Sequence, residues 1–360
     1  MIHNQIPTDI HFMRRALELA SLGQGSVSPN PMVGCVIVHN NRIIGEGWHQ
    51  KYGSWHAEVN AIQSVKEKDL VLLPDSTVYV TLEPCAHFGK TPPCSDLLIT
   101  KKVRRVVIAN VDTNPLVGGK GIEKLKNAGI EVTTGILEEE GRWLNRRFFT
   151  FIEKNRPYII LKWAQTADRF IARSDYNSRW ISNDWSRKLV HRWRGEEPAI
   201  MVGTTTAQYD NPHLNVRDWT GEDPVRIVID RHLRLSPSLH LFDQTQPTLC
   251  YNLKKDEASE YIQYIKCVSE STFLAEMMAD LHQRKIQSVI VEGGSKLLQE
   301  LILSDLWDEV RVFTSDQTFG TGITAPAFGG ILIDKISIKK DQLSVFIPAT
   351  DSYKQSIYTM

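Results

Sequence analysis

His56, Cys85 and Cys94 lie far apart in the chain, yet their surroundings read as parts of one metal site. A fold that satisfies this pattern must bring a helix start and the loop after a strand to a single point. His56-Ala57-Glu58 stands at the head of a helical stretch, Ala57 to Ser64. Glu83-Pro84-Cys85 follows the apolar run Val78 to Leu82, and Cys94 returns after the Pro-rich Thr91-Pro92-Pro93. One imidazole and two thiolates give zinc three protein ligands and leave the fourth tetrahedral position for water, as catalytic zinc sites do. Zinc brings the pKa of such a water toward neutrality. Glu58, two residues past the histidine, is placed to carry protons without binding the metal. A structural zinc knot, or cysteines scattered in a core, is the plainer alternative; it lacks a fourth protein ligand and leaves Glu58 without a role.

A chain of 360 residues suggests two domains, each large enough for its own core. Its 42 basic and 42 acidic residues balance, which argues against a nucleic-acid partner or a membrane-binding face. No apolar run approaches membrane-spanning length. The opening MIHNQIPTDIHFMRRALELA lacks the continuous apolar core of a signal peptide and reads as the lead-in to an amphipathic helix. Five cysteines, an odd number, point to a reducing cytoplasm.

Helical spacing over Thr8 to Leu22 is followed by strands at Val33 to Val38 and Arg42 to Gly45, joined by an Asn40-Asn41 turn. Further strands are expected at Val78 to Leu82, Val103 to Ala109 and Ile130 to Thr133. A helix at Ile122 to Ala128 stops at Gly129. A charged helix, Leu137 to Arg147, closes this series. The polar, Pro-terminated Glu153-Lys-Asn-Arg-Pro157 then marks a boundary, giving domains at 1–150 and 156–360. The second series has strands at Tyr158 to Lys162, Ala199 to Gly203, Val225 to Asp230, Thr248 to Tyr251, Ser288 to Glu292 and Glu309 to Phe313. Helices fall at Asp184 to Arg194, Thr272 to Arg284 and Ser295 to Ser304. After Phe319 only scattered Gly and Pro landmarks remain, and no chemistry is assigned there.

The histidine, glutamate and cysteine pattern is that of zinc nucleobase deaminases, except that the spacer from Ala86 to Pro93 is long. Ser28-Pro-Asn-Pro-Met-Val-Gly34, Gly47-Trp-His49, His56-Ala-Glu-Val-Asn60, Thr81 to Cys94, Asp112-Thr-Asn-Pro115 and Gly119-Lys-Gly121 follow in order. This series resembles the deaminase half of the bifunctional riboflavin-biosynthesis deaminase/reductases. The resemblance implies a cytidine-deaminase-like three-layer α/β/α domain acting on 2,5-diamino-6-ribosylamino-4(3H)-pyrimidinone 5′-phosphate. It places Asn30, His49, His87, Lys90, Asp112 and Asn114 around that substrate, with His56, Cys85 and Cys94 on zinc and Glu58 as the acid–base.

In the second half no G-x-G-x-x-G follows a strand, so a Rossmann fold has no local support. The best phosphate-binding candidate is Val291-Glu-Gly-Gly-Ser-Lys296, where a strand gives way to a helix. Leu161-Lys-Trp-Ala164, Asp168, Ser178-Arg-Trp-Ile181, Arg194, Gly203-Thr-Thr-Thr206, Asp210-Asn-Pro212 and Glu292-Gly-Gly294 together resemble the reductase half of the same family. That resemblance implies a dihydrofolate-reductase-like α/β domain using NADPH. Ala164, Trp180, Thr206, Asp210, Gly293 and Gly294 would hold the cofactor, and Ser178, Arg194, Leu214, Arg217 and Glu292 the substrate. Lys162 and Asp210 are expected nearest the reacting ribose carbon, as catalytic groups. A homo-oligomer is also implied. Where the family has Gly after Asp168 this chain has Arg169. If the position needs positive φ, an arginine there is strained by about 1 kcal/mol. A deaminase whose second domain only binds or scaffolds is the alternative this departure supports; a zinc-stabilised interaction protein is disfavoured by Glu58.

Overall fold

Asn40 and Asn41 both take positive φ, 48° and 60°, the left-handed pair that a two-residue type I′ hairpin turn requires. They join β1 (Gly34–His39) to β2 (Arg42–Trp48) in antiparallel pairing. The computed structural model describes residues 5–88, 92–114, 118–178 and 180–349, and these divide into two units at residues 154 and 155. In the first unit β3 (Thr77–Leu82) pairs antiparallel with β1. β4 (Arg105–Asn110) and β5 (Glu131–Thr134) extend the sheet in parallel, in the order β2-β1-β3-β4-β5.

Residues alternate between two buried faces along these strands, as a period of two demands. Val36, Val38, Tyr79 and Val107 pack on Phe12, Met13, Ala16 and Leu19 of α1 (Gln5–Ser21). Cys35, Ile37, Val78, Val80, Val106 and Ile108 pack on Ala61, Leu98 and Leu125. Those three residues come from α2 (Ala57–Ser64), α3 (Cys94–Thr100) and α4 (Lys120–Asn127). The result is the expected three-layer α/β/α arrangement. One expectation fails: the charged stretch from Leu137 to Arg147 is not one helix but parts of two, α5 (Glu138–Leu144) and α6 (Arg146–Lys154). Asn145 interrupts it because its buried side chain serves another segment. It accepts from the Met32 N–H at 2.8 Å and donates to the Met32 carbonyl at 2.8 Å.

The second unit begins with β6 (Tyr158–Gln165), β7 (Phe170–Ala172), α7 (Asp184–Glu196), β8 (Ala199–Gly203) and α8 (Thr204–Asp210). It continues through β9 (Val225–Ile229), β10 (Thr248–Asn252), β11 (Glu257–Ala258), β12 (Ile262–Lys266) and α9 (Phe273–Gln283). β13 (Ser288–Val291), α10 (Ser295–Leu303), β14 (Glu309–Thr314), β15 (Ile323–Thr324), β16 (Ile331–Ile338) and β17 (Asp341–Ile347) complete it. The sheet runs β11-β12-β10-β9-β8-β13-β6-β14-β17-β16. The strands from β12 to β14 in that order are parallel, while β11, β17 and β16 join antiparallel at the margins. The C-terminal segment, read from sequence only as landmarks, thus supplies two strands of the sheet.

Both faces are covered, as a parallel sheet requires. Ile159 and Leu161 of β6 face Met277, Leu281 and Leu298 from α9 and α10. Tyr158 and Ile160 face Val190, Trp193 and Ala207 from α7 and α8. Arg169 has a φ of 67°, so the tight turn is kept and the arginine bears the left-handed conformation, at about 1 kcal/mol. The Asp168 carboxylate holds the turn: it accepts from Thr166 Oγ1 at 2.6 Å and from the N–H groups of Phe319 at 3.0 Å and Gly320 at 2.7 Å.

Candidate active sites

His56 is the N-cap of α2 and Cys94 is the first residue of α3, so two of the three predicted ligands sit at helix N-termini. The positive end of the α3 dipole favours a thiolate at Cys94. Cys85 comes from the loop after β3, its carbonyl fixed by the Ser95 N–H at 3.1 Å and the Ser95 hydroxyl at 3.0 Å. His56 Nδ1 then lies 3.7 Å from Cys85 Sγ and 3.3 Å from Cys94 Sγ. A tetrahedral zinc with ordinary bond lengths would separate N and S by roughly 3.6 Å, so the three side chains fit that ion. Cys94 and His56 beside Cys85 hold its thiol well below the ordinary range, toward the thiolate that zinc binds.

Glu58, in the first turn of α2, is 3% exposed. Burial first, and then the neighbouring Cys85 thiolate, push its carboxyl up to about 7. A carboxyl there trades its proton near neutral pH, which suits an acid–base group. His49 packs edge-on to His56 with ring centres 5.6 Å apart. Its Nδ1 donates to the Trp55 carbonyl at 3.0 Å, leaving Nε2 to accept from Asn30 Nδ2 at 3.2 Å. The Asn30 amide is thereby oriented, with Oδ1 left for another partner. Asp112 Oδ1 accepts the Asn114 N–H at 2.9 Å, and burial raises the Asp112 carboxyl. His87 is exposed, close enough to Asp112 for their charges to interact. Lys90 lies outside the described residues.

Glu83 is a residue whose role the sequence did not disclose. Its buried carboxylate accepts from the N–H groups of Asp112 at 3.3 Å, Gly119 at 2.9 Å, Gly121 at 2.8 Å and Ile122 at 3.2 Å. The loop carrying Asp112 and Asn114 is thus pinned to the strand end that carries Cys85. Gly121 is required for the approach, since a Cβ there would stand 2.0 Å from the Pro84 carbonyl oxygen. The available signal was a carboxylate at a strand end together with a Gly-rich helix start.

In the second unit Thr206 follows β8 and Glu292, Gly293 and Gly294 follow β13, at the carboxyl ends of parallel strands, where open α/β sheets bind ligands. Glu292 follows β13 and takes a bidentate contact from Arg194, at 2.8 and 3.0 Å. Lys162 of β6 adds a third bond at 3.3 Å. Burial opposes the Glu292 charge, but Arg194 and Lys162 prevail and hold the carboxyl down at about 2. Arg194 also donates to the Asn215 carbonyl at 3.1 Å, fixing the loop that carries buried Leu214 and exposed Arg217. His191, missed in the sequence, accepts the Arg217 N–H through Nδ1 at 3.2 Å.

Ser178 donates to Asp210 at 3.2 Å. The Gly293–Gly294 turn packs on Thr206, whose Oγ1 would lie 3.1 Å from a Cβ at Gly293. The structure therefore forms three groups: Lys162 with Arg194 and Glu292, Ser178 with Asp210, and Thr206 with the glycine pair. Lys162 and Asp210, expected together, are engaged by different partners. Ala164 sits on β6, partly buried, and Trp180 is exposed with its ring against Arg187.

Residues 7–110 match the family described as the cytidine and deoxycytidylate deaminase zinc-binding region, and residues 157–350 the RibD C-terminal domain. The chain is 41% identical over 326 residues to the riboflavin biosynthesis protein RibD of Aquifex aeolicus, covering 89% of this chain and 90% of that protein. Identity to the RibD of Actinobacillus pleuropneumoniae is 40% over 339 residues, covering 91% and 89%. Among solved structures, a diaminohydroxyphosphoribosylaminopyrimidine deaminase/5-amino-6-(5-phosphoribosylamino)uracil reductase from Thermotoga maritima superposes with a TM-score of 0.87 at 37% identity. The match covers 96% of this chain and 99% of that one. Both halves are represented, and the chain belongs to the RibD family of bifunctional riboflavin-biosynthesis deaminase/reductases.

Proposed function

We propose that the first unit removes the 2-amino group of 2,5-diamino-6-ribosylamino-4(3H)-pyrimidinone 5′-phosphate. The second then reduces the ribosylamino product to 5-amino-6-ribitylamino-uracil 5′-phosphate. The observation that carries this reading is the convergence of His56, Cys85 and Cys94 with the buried Glu58 beside them. Zinc held by those three residues supplies Lewis acidity and acidifies water. Glu58 would carry two protons in turn on its carboxylate, the first from water to the ring nitrogen and the second from the hydroxyl added at the ring carbon to the leaving amine. Asn30, oriented by His49, binds the pyrimidine edge, and Asp112 and Asn114, fixed by Glu83, close the site with His87 and Lys90.

In the second unit NADPH supplies the hydride. Thr206, Gly293, Gly294, Ala164, Trp180 and Asp210 hold the cofactor, while Arg194, Arg217, Leu214, Ser178 and Glu292 bind the ribotide. Lys162, positioned by Glu292, sets the charge near the ribose carbon. A cytoplasmic homo-oligomer acting on a free ribotide belongs to the same proposal; among the described residues no helix is long and apolar enough to cross a membrane. Zinc-loaded protein given the diaminopyrimidine ribotide and NADPH is expected to release ammonia, oxidise NADPH and yield a deaminated, ribityl product by mass spectrometry. A product that is deaminated but unreduced contradicts the second assignment, and absence of ammonia contradicts the first.

A further inference from the structure

On the loop that also carries Leu214 and Arg217, His213 meets His240 and Asp243, and the three bring one ligand atom each to within 4.8 Å of one another. His213 lies in the loop after α8, and His240 opens the short helical turn His240–Phe242 that Asp243 caps. The two imidazole rings are stacked, with centres 3.7 Å apart and planes 23° from parallel. The His240 N–H donates to Asn211 Oδ1 at 2.8 Å, tying the His213 loop to the His240 turn.

Asp243 is set in place by Arg226, a side chain of β9 that is fully buried. Arg226 donates to Asp243 Oδ1 at 2.9 Å and to the His240 carbonyl at 2.6 Å, so one guanidinium orients two of the three residues. Oδ1 also accepts from the Thr245 N–H at 3.0 Å and its hydroxyl at 2.8 Å. These bonds all fall on Oδ1 and leave Oδ2 available. Among the described residues neither imidazole makes a side-chain hydrogen bond, and neither is ion-paired to Asp243. Three strong donors thus converge without satisfying one another.

We propose that His213, His240 and Asp243 form a second divalent-metal site, suited to zinc, in the reductase unit. Two imidazoles and a carboxylate are a donor set for borderline transition ions, with water completing the coordination. Zinc ligand nitrogens stand roughly 3.4 Å apart in a tetrahedral site and each ring binds in its own plane, so one of the two stacked imidazoles must turn out of the stack to reach the ion. His213 is exposed and free to swing in, while His240 and Asp243 are already held. A bound ion would fasten the loop from Asn211 to Arg217, which carries Leu214, onto the His240 turn.

The test is equilibrium dialysis of the full chain against zinc, followed by elemental analysis. The unaltered protein is expected to hold two zinc ions per chain, and His213→Ala and His240→Ala one each. The exposed position of His213 keeps its variant foldable, and an unchanged circular dichroism spectrum checks this. One zinc per chain in the unaltered protein, or two in both variants, overturns the proposal.

Discussion

The two units build their sites from different materials. In the first, residues 29 and 38 positions from His56 supply thiols that almost nothing but metal or redox chemistry would place together. In the second, Glu292 is met by Lys162 and Arg194 from 130 and 98 positions away. A buried ion cluster of that kind serves packing as readily as catalysis. Chemistry carried by scarce ligand atoms declares itself in sequence, whereas chemistry carried by balanced charge becomes visible only once the sheet assembles it.

Deamination is expected to depend most steeply on Glu58. Glu58→Ala is expected to keep zinc while deamination falls on the order of 10³-fold, with reduction of supplied deaminated ribotide unaffected; ammonia release near the normal rate would remove Glu58 from its acid–base role. Cys94→Ala should lose the first-unit zinc and deamination with it, as elemental analysis combined with His213→Ala would show. Full occupancy there would mean a different ligand. Glu83→Gln puts an amide NH₂ against donor N–H groups, costing about 1–3 kcal/mol. Zinc should remain while the KM for deamination rises roughly tenfold, and an unchanged KM would make Glu83 purely structural.

The smallest effect lies in the second unit. Burial, with Arg194 and Arg217 nearby, lowers the His191 pKa to about 4. The unfolded chain protonates His191 near 6.5 while the folded chain does not, so stability declines as pH falls from 6.5 toward 4. Discounted for screening, the loss is on the order of 1–2 kcal/mol. Thermal unfolding of His191→Gln should show a shallower decline over that window, and an identical slope would exclude His191 as the source.

Much of the fold was legible because apolar runs alternate with turn residues: Ala57–Ser64 was read to the residue, and Asn40-Asn41 as its turn. The exceptions have local causes. Asn145 breaks a continuous charged pattern through a bond to Met32, a partner 113 residues away that periodicity cannot reveal. The β16–β17 hairpin was missed because β16 is largely exposed along its length and lacks a clean alternation. At the sites, the convergence of His56, Cys85 and Cys94 was readable from residue type and spacing. Glu83 and His191 were not, because each acts by accepting backbone N–H groups whose positions only the folded chain defines.

The two units are expected to carry separable chemistries, which mass spectrometry of products from Glu58→Ala and Glu292→Gln would resolve, each given the diaminopyrimidine ribotide or its deaminated form with NADPH. Glu58→Ala is expected to reduce only the deaminated form, and Glu292→Gln to deaminate without reducing. Loss of both activities in a folded, zinc-bearing Glu292→Gln protein, or loss of reduction in Glu58→Ala, would contradict the division.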